Sequence, residues 1–180
     1  MKIAIYPGSF DPITLGHVDI VTRASQMFEK VIMAVVSNPS KSPFIPIEER
    51  FRMVKETVAP LKNVTVQAFE GLTVQLARQC GATIIIRGLR AMSDFEIEFA
   101  MSQMNKNLSP DIETIFLMAG LEYHFLSSSM VREVARLGGS VSNLVPPVVQ
   151  TALASGALFA NEKRGDKSKL GLDSEQAGLR

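Results

Sequence analysis

Short apolar runs alternate along the chain with longer stretches whose apolar residues recur at helical spacing. The runs fall at residues 3–6, 31–36, 64–68, 83–86 and 114–118, and several are apolar on consecutive positions and rich in Ile and Val. An open-faced strand would alternate, so continuous runs predict strands covered on both faces. The helical stretches between them have readable ends. The first follows Gly16-His17 and runs through Phe28. Pro46 precedes Ile47-Glu48-Glu49-Arg50, which puts a proline and acids where a helix begins. Residues 73–80 stop at Gly81, a natural residue for the position after a helix. Ser93-Asp94 can cap a stretch that reaches Leu108 before Pro110 ends it. Residues 128–137 stop at Gly138-Gly139, and a last short helix is predicted from near Pro146-Pro147 to near Gly156.

Five strands alternating with helices predict an α/β fold with a mostly parallel sheet flanked by helices. A length of 180 residues fits one domain. We read residues 1–160 as that domain and the polar, charged residues 161–180 as a flexible tail. The balance of 19 Lys+Arg against 18 Asp+Glu lacks the basic excess that counterion release needs, which speaks against a bulk nucleic-acid or membrane binder. Cys80 is the single cysteine, so a disulfide framework and a multi-cysteine zinc site are excluded. The apolar run after Met1-Lys2 ends at Pro7-Gly8, too short for a signal-peptide core or a membrane span, and leads us to expect a soluble, cytoplasmic chain.

Ligands of open parallel sheets bind outside the carboxyl ends of the strands, so the loops that follow the strands carry the information. The first reads Pro7-Gly8-Ser9-Phe10-Asp11-Pro12-Ile13-Thr14-Leu15-Gly16-His17, and the second includes Lys41. Arg87-Gly88-Leu89-Arg90 follows the fourth strand, and Ser127-Ser128-Ser129 lies in the loop after the fifth. Small residues, hydroxyls and cations at one edge describe an anion site, most naturally for a polyphosphate. Gly16-His17 at a helix start sets an imidazole beside free N–H groups and the positive end of a dipole.

Each element has a plainer reading. A lone histidine at a helix start is more often a capping or buried hydrogen-bonded residue than a catalytic one. Lys41 in a Ser- and Pro-rich loop reads first as a solvated lysine, Arg87 and Arg90 as partners in surface salt bridges, and the serine run as an N-cap. On the helix from Phe95, the stripe of Ile97, Met101, Met104 and Leu108, widened by Phe95 and Phe99, suits core or subunit contact. Glu96 and Glu98 interrupt it; solvent is their plain reading, with a ligand hydroxyl within reach of Glu98.

Together the blocks carry a resemblance. Tyr6-Pro7-Gly8-Ser9-Phe10-Asp11-Pro12 with Thr14-Leu15-Gly16-His17 is similar to the signature of the T/HxGH nucleotidyltransferase superfamily. Within it, Arg87-Gly88-Leu89-Arg90, Asp94-Phe95-Glu96 and Ser127-Ser128-Ser129-Met130-Val131-Arg132 resemble the bacterial phosphopantetheine adenylyltransferase family, from about residue 1 to 159. The resemblance implies a Rossmann-like fold of the nucleotidyltransferase α/β phosphodiesterase type. It implies transfer of the adenylyl group of ATP to 4′-phosphopantetheine, giving 3′-dephospho-coenzyme A and pyrophosphate. It also implies Mg²⁺ held mainly by phosphates and water rather than by a protein metal site, a homohexamer, and coenzyme A as a feedback ligand.

By the same resemblance, the ATP site comprises Ser9, Phe10, His17, Gly88, Leu89, Arg90, Glu98, Tyr123, His124, Phe125, Leu126, Ser127, Ser128 and Ser129. The phosphopantetheine site comprises Ser9, Lys41, Thr73 and Arg87. Three departures are visible: Ser9 where many members carry Thr, Tyr123 where Trp is common, and Thr73 where some have a larger apolar residue. His17, Lys41 and Arg90 are the expected catalytic groups. His17 would bond the α-phosphate, Lys41 and Arg87 would hold the acceptor phosphate, and Arg90 with the serines the β- and γ-phosphates. Other acceptors of the superfamily, nicotinate mononucleotide or glycerol phosphate (the latter with CTP), and a sensor that binds ATP without turnover remain the alternatives.

Overall fold

Parallel neighbours cannot be joined by a tight turn, so each apolar run is followed by a segment that carries the chain back to the same end of the sheet. The strands are β1 (Ile3–Gly8), β2 (Lys30–Ser37), β3 (Val64–Glu70), β4 (Ile84–Leu89) and β5 (Glu113–Met118). They are joined in turn by α1 (Leu15–Met27), α2 (Ile47–Val58), α3 (Thr73–Gln79) and α4 (Met92–Leu108), and β5 is followed by α5 (Ser128–Arg136) and α6 (Pro147–Ala154). This computed structural model describes residues 2–37, 43–90, 92–155 and 158, with backbone alone at 92–94. Lys41 and the expected tail, residues 161–180, lie outside the described residues.

The strands pair in the order β3-β2-β1-β4-β5, and every pairing is parallel. The order reverses direction between β1 and β4, which makes their carboxyl ends the switch point where such sheets bind ligands. β1 follows β2 from Ile3↔Lys30 to Gly8↔Val35, whereas it meets β4 at Ala4↔Ile84 and Ile5↔Ile85. The ends of β1 and β4 thus reach the crevice beyond their common ladder.

Continuous apolar strands place alternate residues in two cores. On one face Tyr6, Met33 and Ile86 pack with Ile20 and Ala24 of α1, Met53 and Val54 of α2, and Val149 of α6. On the other, Ile5, Ile32, Ala34 and Ile85 pack with Val74, Leu76 and Ala77 of α3 and with Ile112. Each fully buried Val, Leu, Ile or Met among them contributes about 1.5–3 kcal/mol of transfer free energy, and the alanines less. β4 runs past the predicted end at residue 86, because Arg87, Gly88 and Leu89 keep their ladder with Phe116, Leu117 and Met118. Arg87 therefore shares the Ile85 face, and Gly88 the Ile86 face, by simple alternation.

The apolar stripe of α4 is only partly covered. Phe95 stacks on Phe99 at 5.7 Å and meets Phe116 at 6.1 Å, while Ile97 is 69% exposed and Met101 and Met104 are also exposed. No helix among the described residues is long and apolar enough to cross a membrane.

Candidate active site

Thr14, in extended conformation, is the N-cap of α1, and His17 falls at its third helical position. That position usually holds Glu or Gln, whose side chain reaches back to the capping residue's N–H. Here the imidazole does so: the Thr14 N–H donates to His17 Nδ1 at 3.0 Å, with the Thr14 hydroxyl 2.9 Å from the same nitrogen. An amide N–H can only donate, so Nδ1 is the acceptor, and the neutral ring carries its proton on Nε2. Burial, reinforced by the charges of Arg90 and then Arg87, lowers the His17 pKa to about 4. Near neutral pH the ring is an uncharged donor. The capping and functional readings of this histidine are compatible, since one nitrogen caps and leaves the other to donate.

The His17 ring meets the edge of Phe10 at 5.1 Å, and Phe10 meets Tyr6 at 5.6 Å. These groups border a cavity of about 560 Å³ at the switch point. The cavity brings together Ser9, Phe10 and His17 from the first loop, Arg87, Gly88 and Arg90 from the end of β4, Glu98 from α4, and Leu126, Ser127, Ser128 and Ser129 at the start of α5. Gly88 lets Ile20 and the Tyr6 hydroxyl close in on β4, since an added Cβ would lie only 3.3 Å from both Ile20 Cγ1 and the Tyr6 oxygen. The first turns of α1 and α5 both border the cavity, so two positive helix ends act together with Arg90. Burial pushes the Tyr6 phenol pKa up, which keeps that group neutral as well.

Arg87 is held rather than free. Its Nε and Nη2 donate to the two oxygens of Glu98, each at 2.5 Å, and its Nη1 donates to the Pro7 carbonyl at 3.0 Å. Burial would lower the guanidinium's pKa, but the hydrogen bonds and charge of Glu98 more than offset it and leave it raised. Those bonds use three of an arginine's five N–H donors, leaving two that a ligand can take. The pair also walls a second cavity, of about 60 Å³, that contains Thr73, Ser102, Asn105 and Thr114. Thr73 thus meets Arg87 away from the larger cavity. Glu98, Met101, Ser102 and Asn105 share one face of α4, a helical spacing that could have pointed to Ser102 and Asn105 in the sequence.

Other expected residues sit around the cavity rather than in its lining. Leu89 is buried in the β4–β5 ladder, and Tyr123 packs against Gly16. His124 Nε2 lies 3.1 Å from the carbonyl of Ala119, itself a lining residue, while Phe125 is 84% exposed. The serines are partly committed to backbone. Ser127 Oγ accepts from the Met130 N–H at 3.1 Å as the cap of α5, and Ser128 Oγ donates to the Pro12 carbonyl at 2.8 Å.

Three residues outside the expected site set fasten the first loop. The Asp11 carboxylate accepts the N–H groups of Phe44 at 2.9 Å and Ile45 at 2.8 Å. Arg132 donates to the Asp11 carbonyl and lies 3.6 Å from its carboxylate. Arg50, buried in α2, donates to the carbonyls of Ser9, Ile45 and Val36. The signal for Arg50 was available: with Met53, Val54 and Val58 it forms one buried helical stripe, and an arginine in such a stripe needs partners.

The cytidylyltransferase-like family model matches residues 5–134. The chain is 52% identical over 166 residues to the phosphopantetheine adenylyltransferase of Heliobacterium modesticaldum, covering 92% of this chain and 95% of that one. It is 56% identical over 147 residues to that of a Synechococcus, with 82% and 92% covered, and 57% identical over 145 residues to that of a Nostoc, with 81% and 76% covered. A solved structure described as a nicotinate-nucleotide adenylyltransferase from Vibrio parahaemolyticus aligns with a TM-score of 0.67 at 20% identity, covering 88% of this chain and 96% of that one, and supports the fold alone. With its cavity at the switch point of a parallel sheet, and with relatives alike over most of their length, the chain belongs to the phosphopantetheine adenylyltransferase family.

Proposed function

We propose that the chain transfers the adenylyl group of ATP to 4′-phosphopantetheine, giving 3′-dephospho-coenzyme A and pyrophosphate. The observation that carries the mechanism is the neutral His17 ring, its proton on Nε2, in a cavity bordered by two helix starts and Arg90. An oxygen of the acceptor phosphate forms a bond to the α-phosphorus of ATP as the bond to the β-phosphate oxygen breaks, and pyrophosphate departs. The acceptor phosphate is already anionic, so no protein nucleophile is needed. The residues position and stabilise charge: His17 donates to the α-phosphate, Arg90 and the α5 start receive the leaving phosphates, and Arg87 holds the acceptor. Lys41 belongs to the proposal as a second cation for the acceptor phosphate.

The proposal includes Mg²⁺. Glu98, the one carboxylate on the described cavity lining, is taken up by Arg87; the rest of the lining offers hydroxyls, backbone, the protonated Nε2 of His17 and cations, none of them an anionic metal ligand. That lining suits an ion carried on the nucleotide's own phosphates and water, where it would neutralise charge on the departing pyrophosphate. Cytoplasmic location, a homohexamer and coenzyme A as a competing ligand complete the proposal. The exposed apolar residues of α4 give self-association a physical reason, and sedimentation velocity tests it. Pyrophosphate release measured with ATP, Mg²⁺ and an acceptor panel tests the substrate. Turnover confined to 4′-phosphopantetheine is expected, whereas preference for nicotinate mononucleotide, or ATP binding without turnover on any acceptor, would overturn the reading.

A further inference from the structure

Arg50 is the buried cation that the mechanism leaves unused. It is 2% exposed, and its bonds go to three carbonyls from three segments: Nε to Ile45 at 2.9 Å, and Nη1 to Ser9 at 2.6 Å and to Val36 at 3.2 Å. Asp11 and Glu48 favour its charge, while burial, the larger effect, lowers its pKa. A buried cation is expensive to desolvate, and here the cost is offset by hydrogen bonds to three carbonyls that an apolar side chain of similar volume would leave without a donor. Its presence calls for a task that a methionine could not perform.

The task lies in the peptide that Arg50 grips. In a trans peptide the N–H points opposite to the C=O, so drawing the Ser9 carbonyl toward Arg50 turns the Phe10 N–H the other way. Phe10 itself has φ of 45°, in the left-handed region that a bulky residue adopts only when its surroundings force it. Its ring is fixed between Tyr6 and His17. We infer that Arg50 is a positioning residue for adenylyl transfer, clamping the Ser9 carbonyl so that Phe10 holds its left-handed conformation against His17 at the edge of the cavity.

This inference rests on the adenylyl-transfer reading, and one set of assays separates the two. The wild-type chain, Arg50→Met and Arg50→Lys are compared in pyrophosphate release with ATP, Mg²⁺ and 4′-phosphopantetheine, with circular dichroism and thermal midpoints recorded for each. Methionine keeps volume without charge; lysine keeps charge without the rigid fork. Misplacement of a catalytic constellation by about 1 Å costs on the order of 100-fold, so folded Arg50→Met is expected to lose kcat on that scale, Arg50→Lys less, with kcat falling far more than either KM rises. The His17 ring signals in nitrogen NMR are expected to move in both variants. Folded variants with wild-type kcat and unmoved His17 signals would reduce Arg50 to a stabilising residue and overturn the inference, while an inactive wild-type chain would overturn the underlying reading instead. If neither variant folds, hydrogen exchange of the Arg50 Nη1 hydrogens, which bond Ser9 and Val36, decides in the wild-type chain: slow exchange supports the clamp, and exchange as fast as that of a surface arginine refutes it.

Discussion

His17 Nδ1 accepts the Thr14 backbone N–H at 3.0 Å, so a single bond at the start of a helix assigns the tautomer of the ring. With its pKa lowered to about 4, chiefly by burial and then by Arg90 and Arg87, the free protein holds this ring neutral across the physiological range. Nitrogen NMR of the ligand-free chain is expected to show the Nε2–H tautomer, with a titration midpoint near 4 rather than the ordinary 6.5. A ring charged at pH 6 would contradict it.

The same shift has a consequence for folding. The unfolded ring takes up its proton near 6.5 and the folded ring near 4, so between those values the unfolded chain binds more protons. The His17 contribution to stability is therefore fully present above pH 6.5 and is lost as pH falls toward 4. Urea unfolding at a series of pH values is expected to show this decline in the wild-type chain, and a shallower one in His17→Asn.

Gly8 lies under the ring of Phe10. A Cβ there would stand 2.8 Å from Phe10 Cζ, and the ring has little room to yield between Tyr6 and His17. Gly8→Ala is expected to cost about 1–3 kcal/mol of stability through overpacking. It should also lower kcat by roughly tenfold or more, because Phe10 carries the displacement to His17. Denaturant unfolding and steady-state kinetics read the two effects separately.

Asp11 ties the first loop to the segment before α2 through two backbone N–H groups. Asp11→Asn turns one of the accepting oxygens into a donor group facing an N–H. A loss of about 1–3 kcal/mol in unfolding free energy is expected, the usual cost of orphaning a buried donor.

Glu98 uses both oxygens to hold Arg87 at the wall between the two cavities. Glu98→Ala is expected to raise the KM for 4′-phosphopantetheine more than that for ATP, because the released guanidinium loses its fixed orientation. Glu98→Gln, which keeps one accepting oxygen, should fall between that variant and the wild type. Initial-rate kinetics with each substrate varied in turn measure this order.

Much of this architecture is legible in the sequence because its signals are local. Runs of Ile and Val mark the doubly covered strands, and the position of His17 at a helix start is visible from Thr14-Leu15-Gly16 ahead of it. The extension of β4 through Arg87, Gly88 and Leu89 was less visible, since an arginine and a glycine break the apolar run while their backbone keeps its ladder with β5. The role of Arg50 depends on carbonyls 14 and 41 residues away in sequence, which no local pattern encodes. The meeting of Thr73 with Asn105 across the small cavity depends likewise on how α3 and α4 pack.

If His17 stabilises the reacting phosphate as a neutral donor, pyrophosphate release by His17→Ala against the wild-type chain shows it most directly. With the fold intact, kcat is expected to fall by roughly 100-fold or more, the loss of one preorganised donor worth about 3 kcal/mol. A folded His17→Ala variant with wild-type kcat would remove His17 from the mechanism.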